Sequence, residues 1–427
     1  MRKFPNIAIL AVAALALAGC AGGASGAETS ATDDVKLTLW HNFGTQQNAA
    51  ATQNLTDAYT KLHPNVTFDV VSQPGDNYFS LIQASAISKT GPDLAVMWTG
   101  LFTLKYKDLL VNLDGLVPAS DMAKVEGLEW VSEGFDSAKG PLVMPFEKQF
   151  YMGFYSKTAF EKAGIDSVPT NWSELYAACD KLNAVGITPV VYGNGGQTLG
   201  ATFYTWYDAS YAMIGAYSVD EWSDLLDGTV AWDSKKNIDQ LTKWAAMESK
   251  GCTNSDVLTK TDNLDDFTSG KAAMIIDGTW DTSLFTDAMG TDVAAFVPPF
   301  STSAIKGVVE FPGNGFGILK SSKHQQAAAD FLAFLTTDAA VAIMDQSGLI
   351  SSVAGAKTSN PVNQEMLDFA GTAGFTRYPM LDNVIQGDVV DVGGKVLPSV
   401  LAGNMTAKDA LTQMAQAWKQ LPADQKK

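Results

Sequence analysis

Between residues 36 and 98 the sequence switches twice from a strand-like to a helix-like pattern, which predicts an α/β fold. Lys36 to Trp40 alternates apolar and polar side chains, Gln47 to Leu62 spaces Ala, Leu and Tyr as a helix does, and Val66 to Val71 is again strand-like. A second helix, from about Asn77 to Ser88, runs through Gly91-Pro92 into the apolar strand Asp93 to Trp98. Strands that alternate with helices imply a largely parallel sheet with helices on both faces.

The middle of the chain is more helical, with apolar spacing of that period in Asn171 to Asn183, Thr202 to Ile214, Asn237 to Lys250 and Leu264 to Lys271. Short strands are expected at Thr188 to Tyr192 and Ala272 to Asp277. Val308 to Leu319 reads as a strand broken by Gly313, Gly315 and Gly317, and Gln325 to Leu335 as an amphipathic helix. Helices at Gln364 to Ala370 and Ala407 to Gln420 close the chain. With 427 residues there is room for two or three folded units, and 46% hydrophobic with 10% aromatic residues excludes global disorder.

Charge narrows the partners. Against 29 Lys and Arg stand 46 Asp and Glu, a formal charge of −17 that repels phosphate backbones and argues against nucleic acid. At the N-terminus, Arg2 and Lys3 precede an apolar run from Ile7 to Ala18, long enough for a signal-peptide core and too short to span a bilayer. It ends in Leu17-Ala18-Gly19-Cys20, which resembles the lipobox of bacterial lipoproteins, where cleavage leaves the cysteine as a lipid-bearing N-terminus. The reading is a signal peptide over 1–19, then lipidated Cys20 and a flexible Gly/Ala/Ser/Thr-rich tether over 20–34; an ordinary signal peptide with a chance cysteine is the alternative. Cleavage takes the charge from −17 to −19, since it removes Arg2 and Lys3. The expected location is the extracellular face of the cytoplasmic membrane, anchored by lipid and not spanning.

Cys179 and Cys252 then remain as an even pair in an exported chain, for which a disulfide is expected, with two buried thiols as the alternative. Their spacing and the presence of only His41, His63 and His324 argue against a metal site. No catalytic signature is present: no GxSxG, HExxH or CxxC, and Gly270-Lys271 lacks the rest of a phosphate-binding loop. Neither an enzymatic activity nor a cofactor is expected.

Tryptophan carries the positive signal, with 10 in the chain. Trp40 and Trp98 end strands, Trp206 opens an aromatic run with Tyr207, and Trp280 follows a strand through a Gly-Thr turn. Carboxyl ends of strands in such sheets face the ligand crevice. Flat aromatic faces among Asn, Asp and Gln suit pyranose rings, whose C–H face stacks while the hydroxyls need polar partners. Trp172, Trp244 and Trp418 sit inside helical patterns and read as packing residues.

These residues resemble the extracellular solute-binding proteins, family 1, which deliver sugars to ABC importers and include the maltodextrin-binding proteins. The likeness runs from about Val35 onward and rests on Lys36-Leu-Thr-Leu-Trp40, Thr90-Gly-Pro-Asp-Leu94, Tyr155-Ser156-Lys157 with Phe160, and Met274-Ile-Ile-Asp-Gly278-Thr-Trp280. It implies two α/β lobes, 35–146 with 314–345 and 147–313 with 346–427, that close by hinge bending on a ligand between them. Crossings are expected near Pro145 to Phe150, Pro312 to Phe316 and Asp345 to Leu349.

By the same resemblance Trp40, His41 and Asn42 occupy a sugar-contacting loop, Trp98 and Trp280 stacking positions, Glu147 and Gln149 the first crossover, Asn314 the second, and Trp206 an aromatic helix start. Asp76, at the start of a helix, either reaches the cleft or caps the helix. Arg377 is the one arginine left after the leader and lies between aromatics in Phe375-Thr-Arg-Tyr378. It either bridges vicinal hydroxyls or sits on the surface. The resulting expectation is a monomeric, lipid-anchored oligosaccharide receptor that serves the transmembrane permease subunits of an ABC transporter. A receptor for a polyamine or peptide, or a secreted carbohydrate-processing hydrolase, is the alternative.

Overall fold

The computed structural model describes residues 34–43, 46–193, 207–208, 211–212, 224–225 and 227–426. The signal-peptide and lipidation readings at 1–33, Trp206, and most of the expected helix over 202–214 lie outside the described residues. The described residues form twelve strands: β1 (Val35–His41), β2 (Val66–Ser72), β3 (Leu94–Trp98), β4 (Met144–Pro145), β5 (Glu147–Ser156), β6 (Thr188–Val190), β7 (Ala272–Gly278), β8 (Val293–Phe296), β9 (Gly307–Pro312), β10 (Asn314–Ile318), β11 (Ile350–Ser351) and β12 (Thr376–Tyr378).

Among the described residues these strands form two sheets. The first has the order β2-β1-β3-β10-β4; β1 runs parallel to β2 and β3, and β10 runs antiparallel to β3 and β4. Both of its faces are covered. Along β3, Leu94 and Val96 enter one apolar core with Leu55 and Tyr59 of the helix Gln46–Leu62 and Phe331 of the helix Gln325–Phe334. Ala95 and Met97 enter another with Tyr78 and Ile82 of the helix Tyr78–Ser88. Burial on both faces explains why β3 reads as a continuous apolar run.

The second sheet departs from the expectation of a largely parallel arrangement. Its order is β12-β9-β5-β7-β6, and the long central β5 pairs antiparallel with β7, β8, β9 and β11; only β6–β7 and β9–β12 are parallel. A single large core covers this sheet, including Phe150, Phe154, Trp172, Trp244 and Phe285. Within it Cys179, on the buried face of the helix Trp172–Ala184, forms a disulfide with Cys252, with Cα atoms 5.2 Å apart.

The strand expected at 308–319 is two strands in different sheets. Only Gly313 breaks it, whereas Gly315 and Gly317 lie inside β10, where a side chain would strike Val143 and Leu110 respectively. Between the sheets the chain therefore passes through one residue each time: Phe146 from β4 to β5, and Gly313 from β9 to β10. A third passage leads from the helix Asp338–Gln346, which places Ala340 and Met344 in the first core, to β11 on the edge of β5.

Candidate functional site

Strand β5 organises the site because alternate residues share a face, so Glu147, Gln149 and Tyr151 follow one another on one side and Lys148 points to the other. Glu147 is 1% exposed. Its Oε2 accepts from Asn48 Nδ2 at 2.8 Å, and its Oε1 accepts from Gln149 Nε2 at 2.7 Å and from Asn314 Nδ2. Burial pushes the carboxyl up to about 7, although hydrogen bonds from Asn314, Asn48 and Gln149 oppose the rise. The backbone joins in: Gly313 N–H donates to the Glu147 carbonyl at 3.1 Å, and a side chain at 313 would collide with Gln149.

Around this knot stand the aromatic rings. Trp98 ends β3, pairs in register with Asn314, and meets Phe79 and Phe102 edge-on at 5.2 and 5.1 Å. Phe79 in turn stacks flat on Tyr106 at 5.0 Å. Trp40, half-buried at the end of β1, packs against the same apolar cluster. His41 is buried and stacks on Phe43 at 4.9 Å, and its Nδ1 accepts from Phe43 N–H at 3.3 Å. Burial lowers its pKa, which favours a neutral ring with the hydrogen on Nε2, a donor. The Oδ1 of Asn42 is buried with no hydrogen-bond partner among the described residues, an acceptor still to be satisfied.

Trp280 is half-buried after β7, in the short turn Thr279–Asp281, against Gly278, where any side chain would strike its ring. Its ring centroid lies 6.1 Å from Tyr151 and 6.0 Å from Tyr207. Beneath it is a polar floor: the Tyr151 hydroxyl lies 3.2 Å from Asp208 Oδ1 and 3.1 Å from the Ile276 carbonyl, and Tyr211 donates to the Tyr151 carbonyl. Asp208 is fully buried, which pushes its carboxyl well above the usual range.

Thus Trp98, Asn314, Glu147 and Gln149 are joined by contact and hydrogen bond, and β5 carries the group on toward Trp280. Arg377 is not joined to them. On β12 it forms an ion pair with Glu310 at 3.2 Å, and Glu310 also meets Lys148 on the other side of β5 at 3.5 Å. Asp76 lies in the turn Gly75–Asn77. Among the described residues no group of His, Cys, Asp and Glu could hold a metal ion. Sequence reasoning missed Asn48, Tyr151, Asp208 and Asn383, whose Nδ2 donates to Thr99 Oγ1 at 3.2 Å. For Asn48 a signal existed: it is an amide on the buried face of an amphipathic helix.

Residues 44–342 match the family described as bacterial extracellular solute-binding protein, most of the length of the chain. The chain belongs to that family. Relatives named as binding proteins in Brucella abortus and Brucella suis are 24% identical over 228 residues, 52% of this chain. The chain spans about half the length (53%) of these curated relatives. Solved structures similar to this solute-binding protein include a chitin oligosaccharide binding protein, with TM-score 0.78 and 20% identity over 90% of this chain and 98% of that one. A protein from work on xylan utilisation by Caldanaerobius polysaccharolyticus gives 0.77 and 20% over 90% and 99%. The GacH receptor of Streptomyces glaucescens gives 0.71 and 18% over 90% and 97%. These likenesses give the solute-binding protein its two-lobed fold.

Proposed function

We propose that this solute-binding protein captures a neutral oligosaccharide between two lobes, 35–146 with 314–345 and 147–313 with 346–427, and hands it to the transmembrane permease subunits of an ABC transporter. The observation that carries the reading is the placement of half-exposed Trp98 and Trp280 at the carboxyl ends of β3 and β7, with amides of the crossovers between them. Trp40, Trp98, Trp280 and Trp206 supply stacking faces, and His41, Asn42, Asp76, Gln149 and Asn314 supply donors and acceptors for hydroxyls. Arg377, held by Glu310, is left out of the sugar set. Three of the similar structures are described with chitin oligosaccharide, xylan and acarbose, which supports a sugar over other solutes.

In this reading the chain binds and releases without making or breaking a bond, as a monomer tethered by lipid on Cys20 to the extracellular face of the membrane. Capture with release calls for an affinity in the micromolar range, about −8 kcal/mol. Calorimetric titration with chitotriose, xylotriose and maltotriose, with spermidine as the cationic control, tests it. Saturable heat with a neutral sugar and no product on prolonged incubation supports a receptor, spermidine alone points to a polyamine receptor, and shortened sugar points to a hydrolase.

A further inference from the structure

We propose that Asp208 is the positioning residue of the aromatic platform on the second sheet: its carboxyl donates to the Tyr151 hydroxyl and so seats Tyr207 and Tyr151 beneath Trp280. The inference deepens the sugar reading and rests on it for what the platform stacks against. Tyr151 has one hydroxyl hydrogen and two oxygens within reach, the Ile276 carbonyl at 3.1 Å and Asp208 Oδ1 at 3.2 Å. The carbonyl can only accept, so both contacts are filled at once when Tyr151 donates to Ile276 and Asp208 supplies its own hydrogen to Tyr151. One short stretch of chain grips Tyr151 at two points. Asp208 holds the hydroxyl, and Tyr211, three residues on, donates to the Tyr151 carbonyl and accepts from the Val309 N–H of β9 at 3.3 Å. Tyr207 is the residue before Asp208, and its ring centroid lies 4.7 Å from that of Tyr151 and 6.0 Å from that of Trp280. The bond that ties residue 208 to β5 therefore sets where the Tyr207 ring stands, and Tyr207 with Tyr151 makes the surface against which Trp280 rests.

The surroundings suit a carboxyl that keeps its hydrogen. Asp208 is 0% exposed, and the groups that face it are uncharged: Tyr151 on β5, Tyr192 just beyond β6, and Tyr211. The indole of Trp244, on the helix Lys235–Ser249, reaches the Tyr192 hydroxyl behind it. Among the described residues no Lys, Arg or His forms an ion pair with Asp208. Burial with no cation to offset it pushes the carboxyl well above its usual range, and the same burial raises Tyr192 and Tyr211, so that they too keep their hydrogens.

Two variants of the full chain test the seat. Asp208→Asn keeps a donor and an acceptor in nearly the same shape, whereas Asp208→Ala removes both. Near-ultraviolet circular dichroism without ligand, taken as the difference made by Trp280→Phe in each background, isolates the Trp280 signal; it should survive Asp208→Asn and be lost in Asp208→Ala. Urea denaturation at pH 5 and 7 needs only the first variant, so it decides even if Asp208→Ala does not fold. The folded wild type holds a hydrogen that the unfolded chain has released, so its stability relative to Asp208→Asn should fall as pH rises, by up to about tenfold in the folding equilibrium per pH unit. Calorimetric titration with chitotriose, xylotriose and maltotriose adds the ligand: affinity for whichever binds wild type should drop about tenfold in Asp208→Ala and be restored in Asp208→Asn. A wild-type stability that keeps a constant ratio to Asp208→Asn across pH, a Trp280 signal that Asp208→Asn destroys, or a signal or affinity that Asp208→Ala leaves intact overturns the proposal. If none of the three sugars binds wild type, the sugar reading fails, and the two ligand-free measurements still decide the role of Asp208.

Discussion

The two halves of the molecule hold their tryptophans on different foundations. In the first, Trp98 leans on Phe79 and Phe102 over a sheet whose two faces are sealed by aliphatic and aromatic side chains. In the second, Trp280 lies over Tyr151, whose hydroxyl is bonded to the buried carboxyl of Asp208, and the surrounding core is closed by a disulfide. An apolar base tolerates small shifts because it is non-directional, whereas a buried polar base must be satisfied bond by bond. The second half should therefore lose more from single changes, and its stability should respond to redox state and pH where the first half's does not.

The largest effect sharpens that contrast. Replacing both Cys179 and Cys252 with serine frees a loop closed over 73 residues and should cost roughly 4 kcal/mol of unfolding free energy, read by urea denaturation, with no matching change available in the first half. Next comes pH. Burial raises the Glu147 carboxyl from 4.5 to about 7, so the folded chain holds a proton that the unfolded chain has released. The stability from this group is complete below about pH 4.5, falls by roughly 3 kcal/mol as pH rises to about 7, and is level above that. Denaturation midpoints at pH 5 and 8 should show that slope in the wild type and a flatter one in Glu147→Gln.

Smaller effects separate the two foundations directly. Tyr151→Phe removes the hydroxyl over Asp208 and should destabilise by about 1–3 kcal/mol, since a buried carboxyl loses a partner. An equal cost for Phe79→Leu beneath Trp98, a trim within an apolar cluster expected to cost under about 1.5 kcal/mol, would break the comparison. Trp98→Ala should weaken binding of whichever sugar binds by about tenfold, the loss of one stacking face, in a calorimetric titration.

The same contrast explains what was legible in the sequence. The first half announces itself by periodicity: the strand read at 36–40 is β1, and the helix read at 47–62 starts one residue earlier, because each element buries a face against a neighbour close in sequence. The second half is written in long-range pairing. Strand β5 gains its partners from residues 272–278, 293–296, 307–312 and 350–351, and no local period reports antiparallel return. The helix Gly387–Leu401 was missed for a local reason, since Gly393, Gly394 and Pro398 are poor helix formers that tertiary burial overrides. At the site, the family resemblance pointed to Glu147, Gln149 and Asn314, but nothing in sequence joins Asn48 to Glu147 across 99 residues. Arg377 looked available because its neighbours in the chain are apolar or neutral; Glu310, which holds it, is 67 residues away.

One measurement bears most directly on the claim that this protein is a sugar receptor whose cleft is read by tryptophan. Intrinsic fluorescence of the full chain should be followed while chitotriose, xylotriose, maltotriose, trigalacturonate and spermidine are added in turn, with Trp280→Ala in parallel. A sugar receptor should give a saturable shift in the micromolar range with at least one neutral sugar, none with trigalacturonate or spermidine, and loss of the shift in W280A. A shift with spermidine alone, or a neutral-sugar shift of full size and unchanged affinity in W280A, would contradict it.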